Sequence, residues 1–154
     1  MRIFKTTFVF LAISLGLAAS ATAVEADWND KGVAWQSYDA GLAQAKQQNK
    51  PICLVFFTTW CPHCHAYSRV FHDPNVVAKT KQFVMIRLDR DKNKELSKKF
   101  APDGEYIPRT FFLTPQGALK AELTSGASEY KYFYNESDPQ GILGGMTRAL
   151  TAIK

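Results

Sequence analysis

The chain has 154 residues, 46% of them hydrophobic and 13% aromatic, and a formal charge of +5. That length holds one domain with a real core and not two comfortable ones, and its lysines are scattered rather than stacked into a basic tract, which gives a nucleic-acid-binding reading little support. Three cysteines are too few, and odd in number, for a disulfide-stapled scaffold, so one must be unpaired.

Arg2 and Lys5 make a basic start, residues 8–19 are apolar, and Ala21-Thr22-Ala23 offers a small-residue cleavage site, so 1–23 reads as a secretory signal peptide. Its apolar core is shorter than the ~20 residues that span a bilayer, so no stable membrane insertion is expected after cleavage. Removal would leave 131 residues and a charge of +3. Residues 24–31 look like an exposed stretch, within a lead-in of 24–36, and the folded domain is expected over 37–154. Residues 37–48 carry Leu42, Ala43 and Ala45 at helical spacing.

Residues 51–58 are apolar on both alternating faces, with Cys53, Val55 and Phe57 on one and Ile52, Leu54 and Phe56 on the other, the mark of a central strand covered on both sides. Cys53 on this strand reads as a small buried hydrophobe. Helical spacing resumes at Cys64, Tyr67, Val70 and Phe71, and Pro74 interrupts it before a short segment through Lys81. Residues 83–89 form the next strand and 93–100 a helix whose lysines, with Lys92, make a solvated face. Pro102-Asp103-Gly104 supplies a turn, and 110–114 a third strand. Thr114-Pro115-Gln116-Gly117 suits a β-turn, so 118–124 is expected to return as an antiparallel hairpin partner. Residues 125–137 mix polar and aromatic side chains, and 139–153 closes the chain as a helix weakened by Gly141, Gly144 and Gly145.

The chemistry concentrates in Cys61-Pro62-His63-Cys64, at a strand-to-helix junction. Two thiols at this spacing close into a small reversible disulfide, which points to electron exchange with other thiols. A first cysteine at a helix start faces unpaired N–H groups and the positive end of the helix dipole, which favours its thiolate, and a protonated His63 would add to that. Pro62 suits the first helical turn. Cys61 is therefore the expected nucleophile and Cys64, one turn further in, the resolving thiol. The same residues with His65 also satisfy the Cys-x-x-Cys-His pattern of covalent haem attachment. The alternation of strands and helices speaks against that alternative, and a second ligand pair for zinc is lacking. No metal and no cofactor is expected.

Trp60-Cys61-Pro62-His63-Cys64 after a buried strand, with Ile107-Pro108 before another, resembles the thioredoxin fold: α/β, a single domain with a central mixed β-sheet flanked by helices. More narrowly, residues 97–113, with Pro102-Asp103-Gly104 and Tyr106-Ile107-Pro108-Arg109, and the aromatic run Tyr130-Lys131-Tyr132-Phe133-Tyr134, are similar to the endoplasmic-reticulum thioredoxin-like proteins of the anterior-gradient group. The resemblance implies a cis peptide bond before Pro108, packed against the redox pair, with Ile107 offering backbone to an extended substrate and Trp60 shielding the disulfide. It implies a thiol-disulfide oxidoreductase acting on client proteins, fed by an unknown redox partner.

Two departures shape that expectation. Val55 stands six residues before Cys61, where thioredoxin itself carries a buried acid, so no carboxylate there can relay the proton of Cys64. The chain ends Thr151-Ala152-Ile153-Lys154, unlike a Lys-Asp-Glu-Leu retention signal, so periplasm or secretion is the expected location. The Pro-His dipeptide is the one used by the strongly oxidising periplasmic dithiol oxidase. Each tenfold change in redox balance is about 30 mV of a roughly 150 mV range, so the dipeptide alone leaves oxidase, isomerase and reductase open. A client-holding module is the alternative, with Tyr130, Tyr132, Phe133 and Tyr134 as candidate groove residues. The domain is expected to be monomeric, and Asn135-Glu136-Ser137 is a glycosylation sequon by pattern only.

Overall fold

A computed structural model describes residues 25–153; the expected signal peptide at 1–23 lies outside them. Four strands form one mixed sheet: β1 (Trp35–Gln36), β2 (Ile52–Phe57), β3 (Val84–Asp89) and β4 (Arg109–Leu113), in the order β1-β3-β2-β4. β3 runs parallel to both β1 and β2, and β4 runs antiparallel to β2. The helices are α1 (Tyr38–Gln48), α2 (Pro62–Ser68), α3 (Pro74–Thr80), α4 (Lys94–Lys99) and α5 (Pro139–Ala152), with a 3-10 turn (Arg69–His72) extending α2.

β2 is central and fully buried, as its unbroken apolar run requires. Its two faces sort as the alternation predicts. Cys53, Val55 and Phe57 pack in a core shared with Cys64, Tyr67 and Phe71 and with Ile142 and Met146 of α5. Ile52, Leu54 and Phe56 pack on the other side with Ala45 of α1, Phe100 and Tyr132. Local chemistry sets the helix ends. Asp73 caps α3 by accepting from the N–H groups of Asn75 and Val76, with Pro74 at the first helical position, and α1 stops at Asn49, whose φ of 49° is left-handed. Gly145, expected only to weaken α5, has a packing reason: a Cβ there would stand 2.7 Å from the Tyr134 ring.

Two expectations are corrected. The lead-in expected to be exposed is anchored at two points: within the described residues 25–31, Ala26 and Trp28 are buried while Glu25, Asp27, Asp30 and Lys31 are exposed. Trp28 is 1% exposed and Val33 is buried, Trp35 and Gln36 form an edge strand of the sheet, and so the packed unit starts well before residue 37. Trp28 meets Trp35, Phe57, Tyr67 and Phe71 at ring separations of 5.2 to 6.3 Å. The Arg87 guanidinium lies 5.4 to 5.5 Å from the rings of Trp28, Trp35 and Phe57 and is anchored by Asp30 at 2.9 Å. These contacts staple the segment to the sheet.

The hairpin after β4 also falls short. Only the bridge between Leu113 and Leu119 forms, around a turn in which Gly117 takes a φ of 86°, and the chain then leaves the sheet. The reason lies at the strand edge, where the Thr110 N–H donates to the Tyr132 carbonyl at 2.9 Å. The late aromatic segment, not a hairpin partner, covers that part of β4.

Candidate active site

β2 ends at Phe57, and residues 58–61 carry the chain over the top of the sheet into α2. Cys61 is the N-cap of α2, with φ −84° and ψ 115°, and Pro62 is the first helical residue. The Cys61 sulfur accepts from the Cys64 N–H at 3.2 Å, so the thiol occupies the place a serine or aspartate oxygen holds in an ordinary cap. Opposite it, the Ile107-Pro108 peptide is cis, and the Ile107 carbonyl oxygen lies 4.0 Å from the Cys61 sulfur. The structure thus brings together Cys61, Cys64, Ile107 and Pro108, from segments 46 residues apart in sequence.

The cysteines differ in setting. Cys61 keeps 3% of its surface exposed, while Cys64 and Cys53 keep none. Burial, then the neighbouring Cys61 sulfur, pushes the Cys64 thiol well up; the Thr58 backbone N–H and the Arg90 charge oppose this in part. None of these groups is a carboxylate, and Val55, in the core below, supplies none. Burial alone raises Cys53 in the same direction. In the reduced native protein, iodoacetamide is therefore expected to label Cys61 and to spare Cys53 and Cys64 until denaturant is added. Peptide mass mapping checks this; native labelling of Cys53 would mean that the sheet opens readily.

The remaining expected residues have defined places. Trp60 is 60% exposed; its indole N–H donates to Asp91 at 2.8 Å, and Arg90 lies 5.6 Å from its ring. These partners hold its polar edge on the loop after β3. His63 is on the open face of α2, its Nδ1 2.8 Å from Glu136 Oε2 and its ring edge-on to Phe133. The His65 Nε2 lies 2.9 Å from the Thr59 carbonyl. Among the described residues no three His, Cys, Asp or Glu side chains are grouped to hold a metal ion.

Beside Cys61 opens an apolar cleft of about 420 Å³ lined by His63, Tyr106, Ile107, Tyr130 and Phe133. The aromatic run divides in two. Tyr130 and Phe133 reach this cleft, whereas Tyr132 and Tyr134 are 3% and 1% exposed and cover the sheet. Sequence reasoning grouped all four, because a segment without helix or strand has no period from which to read a face.

Arg109, next to the cis proline, is fully buried. It donates to the carbonyls of Phe100 and Gly104 at 3.0 and 2.7 Å and to Ser97 Oγ at 2.6 Å, tying the Pro108 loop to the end of α4. It supports the site from behind and does not line the cleft. Glu136 and Arg90 were not legible as site residues, since each reaches the site only through a long-range contact; Arg109 stands in the motif beside Pro108, but its supporting role is set by its contacts to Ser97, Phe100 and Gly104.

Comparison with known proteins gives a consistent picture. A thioredoxin-like family model matches residues 34–115. The human anterior gradient protein 2 homolog is 31% identical over 128 residues, covering 82% of this chain and 71% of that one. Anterior gradient protein 2 of Xenopus tropicalis is 32% identical, over 99% of this chain and 96% of its own. Among solved structures, a disulphide isomerase from Xylella fastidiosa Temecula1 superposes with a TM-score of 0.57 at 24% identity, covering 89% of this chain and 99% of its own. A thioredoxin from Thermus thermophilus gives 0.61 at 22%, covering 77% and 88%. Both structural matches speak to the fold.

Proposed function

Because the chain belongs to the thioredoxin-like family, we propose that it is an exported thiol-disulfide oxidoreductase that oxidises or isomerises protein clients through Cys61 and Cys64. The observation that carries this is the pairing of an N-cap thiol with a cis-proline loop: the Cys61 sulfur on the Cys64 N–H, with the Ile107 carbonyl 4.0 Å away. A nucleophile here is reached from the cleft side, and its resolving partner sits one turn below it, shielded from solvent. A client sulfur bonded to Cys61 leaves as thiolate when the Cys64 sulfur attacks the Cys61 sulfur, which returns a reduced client and an oxidised pair; the reverse sequence oxidises a client. With Val55 in place of an acid, no carboxylate there relays the Cys64 proton, which disfavours rapid reductase turnover and leaves oxidation or isomerisation as the favoured reading. Export is supported by the basic, apolar and small-residue pattern at 1–23.

The test is the reduction potential of the Cys61 and Cys64 pair, measured by equilibrating the protein without residues 1–23 in glutathione buffers and trapping thiols. A value towards about −120 mV supports disulfide donation, and one near about −270 mV moves the assignment to a reductase. A second reading, a client-holding module, is favoured by the cleft walls of Tyr130 and Phe133. It would be preferred if no reversible two-electron couple were found while peptide capture still depended on those two side chains.

A further inference from the structure

His63 lines the cleft, and Glu136, 73 residues away in sequence, pairs with it from outside the cleft walls. A carboxylate oxygen only accepts, so at 2.8 Å the His63 Nδ1 must carry the proton that it donates to Glu136. Nε2 makes no hydrogen bond among the described residues, and its ring borders the cleft and leans edge-on against Phe133 at 5.9 Å. In the neutral imidazole the contact with Glu136 fixes the tautomer, leaving Nε2 as the nitrogen without a proton. The other walls offer no substitute. Ile107 and Phe133 have neither acid nor base; Tyr106 donates its hydroxyl to Asp103 at 2.7 Å and accepts from the Tyr132 N–H. A phenol, the group Tyr130 presents, is a far weaker base than an imidazole nitrogen. Val55 removes the buried carboxylate as an alternative base.

We infer that His63 is the acid-base group for client sulfur and that Glu136 is the positioning residue that holds its Nε2 available, an inference that rests on the oxidoreductase reading above. In the oxidised protein, a client thiol in the cleft gives its proton to Nε2 as its sulfur bonds to Cys61. The Cys61–Cys64 bond breaks, and its electron pair passes to Cys64, so that client sulfur is oxidised as Cys64 is reduced. In the opposite direction, Nε2–H returns the proton to the departing client thiolate.

The test is stopped-flow reduction of the oxidised protein at pH 7 with two attacking thiols: glutathione, which must lose a proton, and 4-nitrothiophenolate, which has already lost it. Glu136→Ala is expected to slow glutathione roughly tenfold, within the reach of general base catalysis, and to leave the aryl thiolate unchanged or faster. Glu136→Gln keeps a carbonyl acceptor for Nδ1–H and should recover part of the rate. His63→Gln should slow glutathione similarly, and adding Glu136→Ala to it should cost nothing more. Equal slowing of both thiols, no slowing of either, or independent multiplication of the two substitutions would each overturn the inference. Failure of the wild-type protein to exchange with either thiol would instead overturn the oxidoreductase assignment.

Discussion

Cys61→Ser is expected to lower the rate of thiol-disulfide exchange by at least about a thousandfold, because in the proposed mechanism the substituted atom is the one that forms and breaks every bond to the client. The fold should survive. The Cys61 side chain serves structurally as a helix N-cap, accepting from the Cys64 N–H at 3.2 Å, and serine is among the preferred residues for that task. Loss of activity with an unchanged urea midpoint would therefore isolate the chemistry. Cys64→Ser should behave differently: the first attack remains, but no thiol resolves it, and a disulfide-linked adduct of Cys61 with a model peptide should accumulate and appear in intact-protein mass spectra. Full exchange activity in Cys61→Ser would sink the mechanism.

The second large effect is expected far from any sulfur. Trp28→Ala should cost about 3–5 kcal/mol, the usual range for emptying a large aromatic site, out of a total of roughly 5–15 kcal/mol for a domain. The indole fills a pocket made by Trp35, Phe57, Tyr67 and Phe71, and Arg87 stacks on its ring. Phe57 ends β2, and Tyr67 and Phe71 continue from α2, so the same cavity should loosen the helix that carries the cysteines. Its indole nitrogen is unpaired, so the cost comes from lost packing and not from a lost side-chain hydrogen bond. Urea unfolding of the protein without residues 1–23 measures the change, and a midpoint shift of less than about 1 kcal/mol would show that this segment does not pack in solution.

That substitution also marks where pattern reading stops. In residues 25–31 one tryptophan stands among charged and small residues, with no periodicity to announce burial, and a strand of two residues at 35–36 is too short to have any. Its partners lie 7 to 43 residues away along the chain. The return strand expected at 118–124 failed for a related reason. Turn chemistry at Thr114 to Gly117 brought the chain back, but competition for the edge of β4 was settled by Tyr132, which sequence order places beyond the turn. Likewise, an alternating aromatic run looks uniform until the sheet selects Tyr132 and Tyr134 for burial and leaves Tyr130 and Phe133 to the cleft.

What the sequence by itself determined is whatever short-range physics dictates. Unbroken apolar alternation made residues 52–57 a central strand with both faces assigned, proline after cysteine started α2 with the sulfur as its cap, and the two-residue spacing put the second thiol one helical turn from the first. Family resemblance anticipated the Ile107-Pro108 loop against the redox pair, whereas the tertiary structure alone decided the other distant contacts: Glu136 against His63, the Arg90 charge acting on Cys64, and Arg109 holding the proline loop from behind. These contacts are fixed by how the helical layers and the loops after β3 and β4 close over one end of the sheet, and no local propensity encodes them.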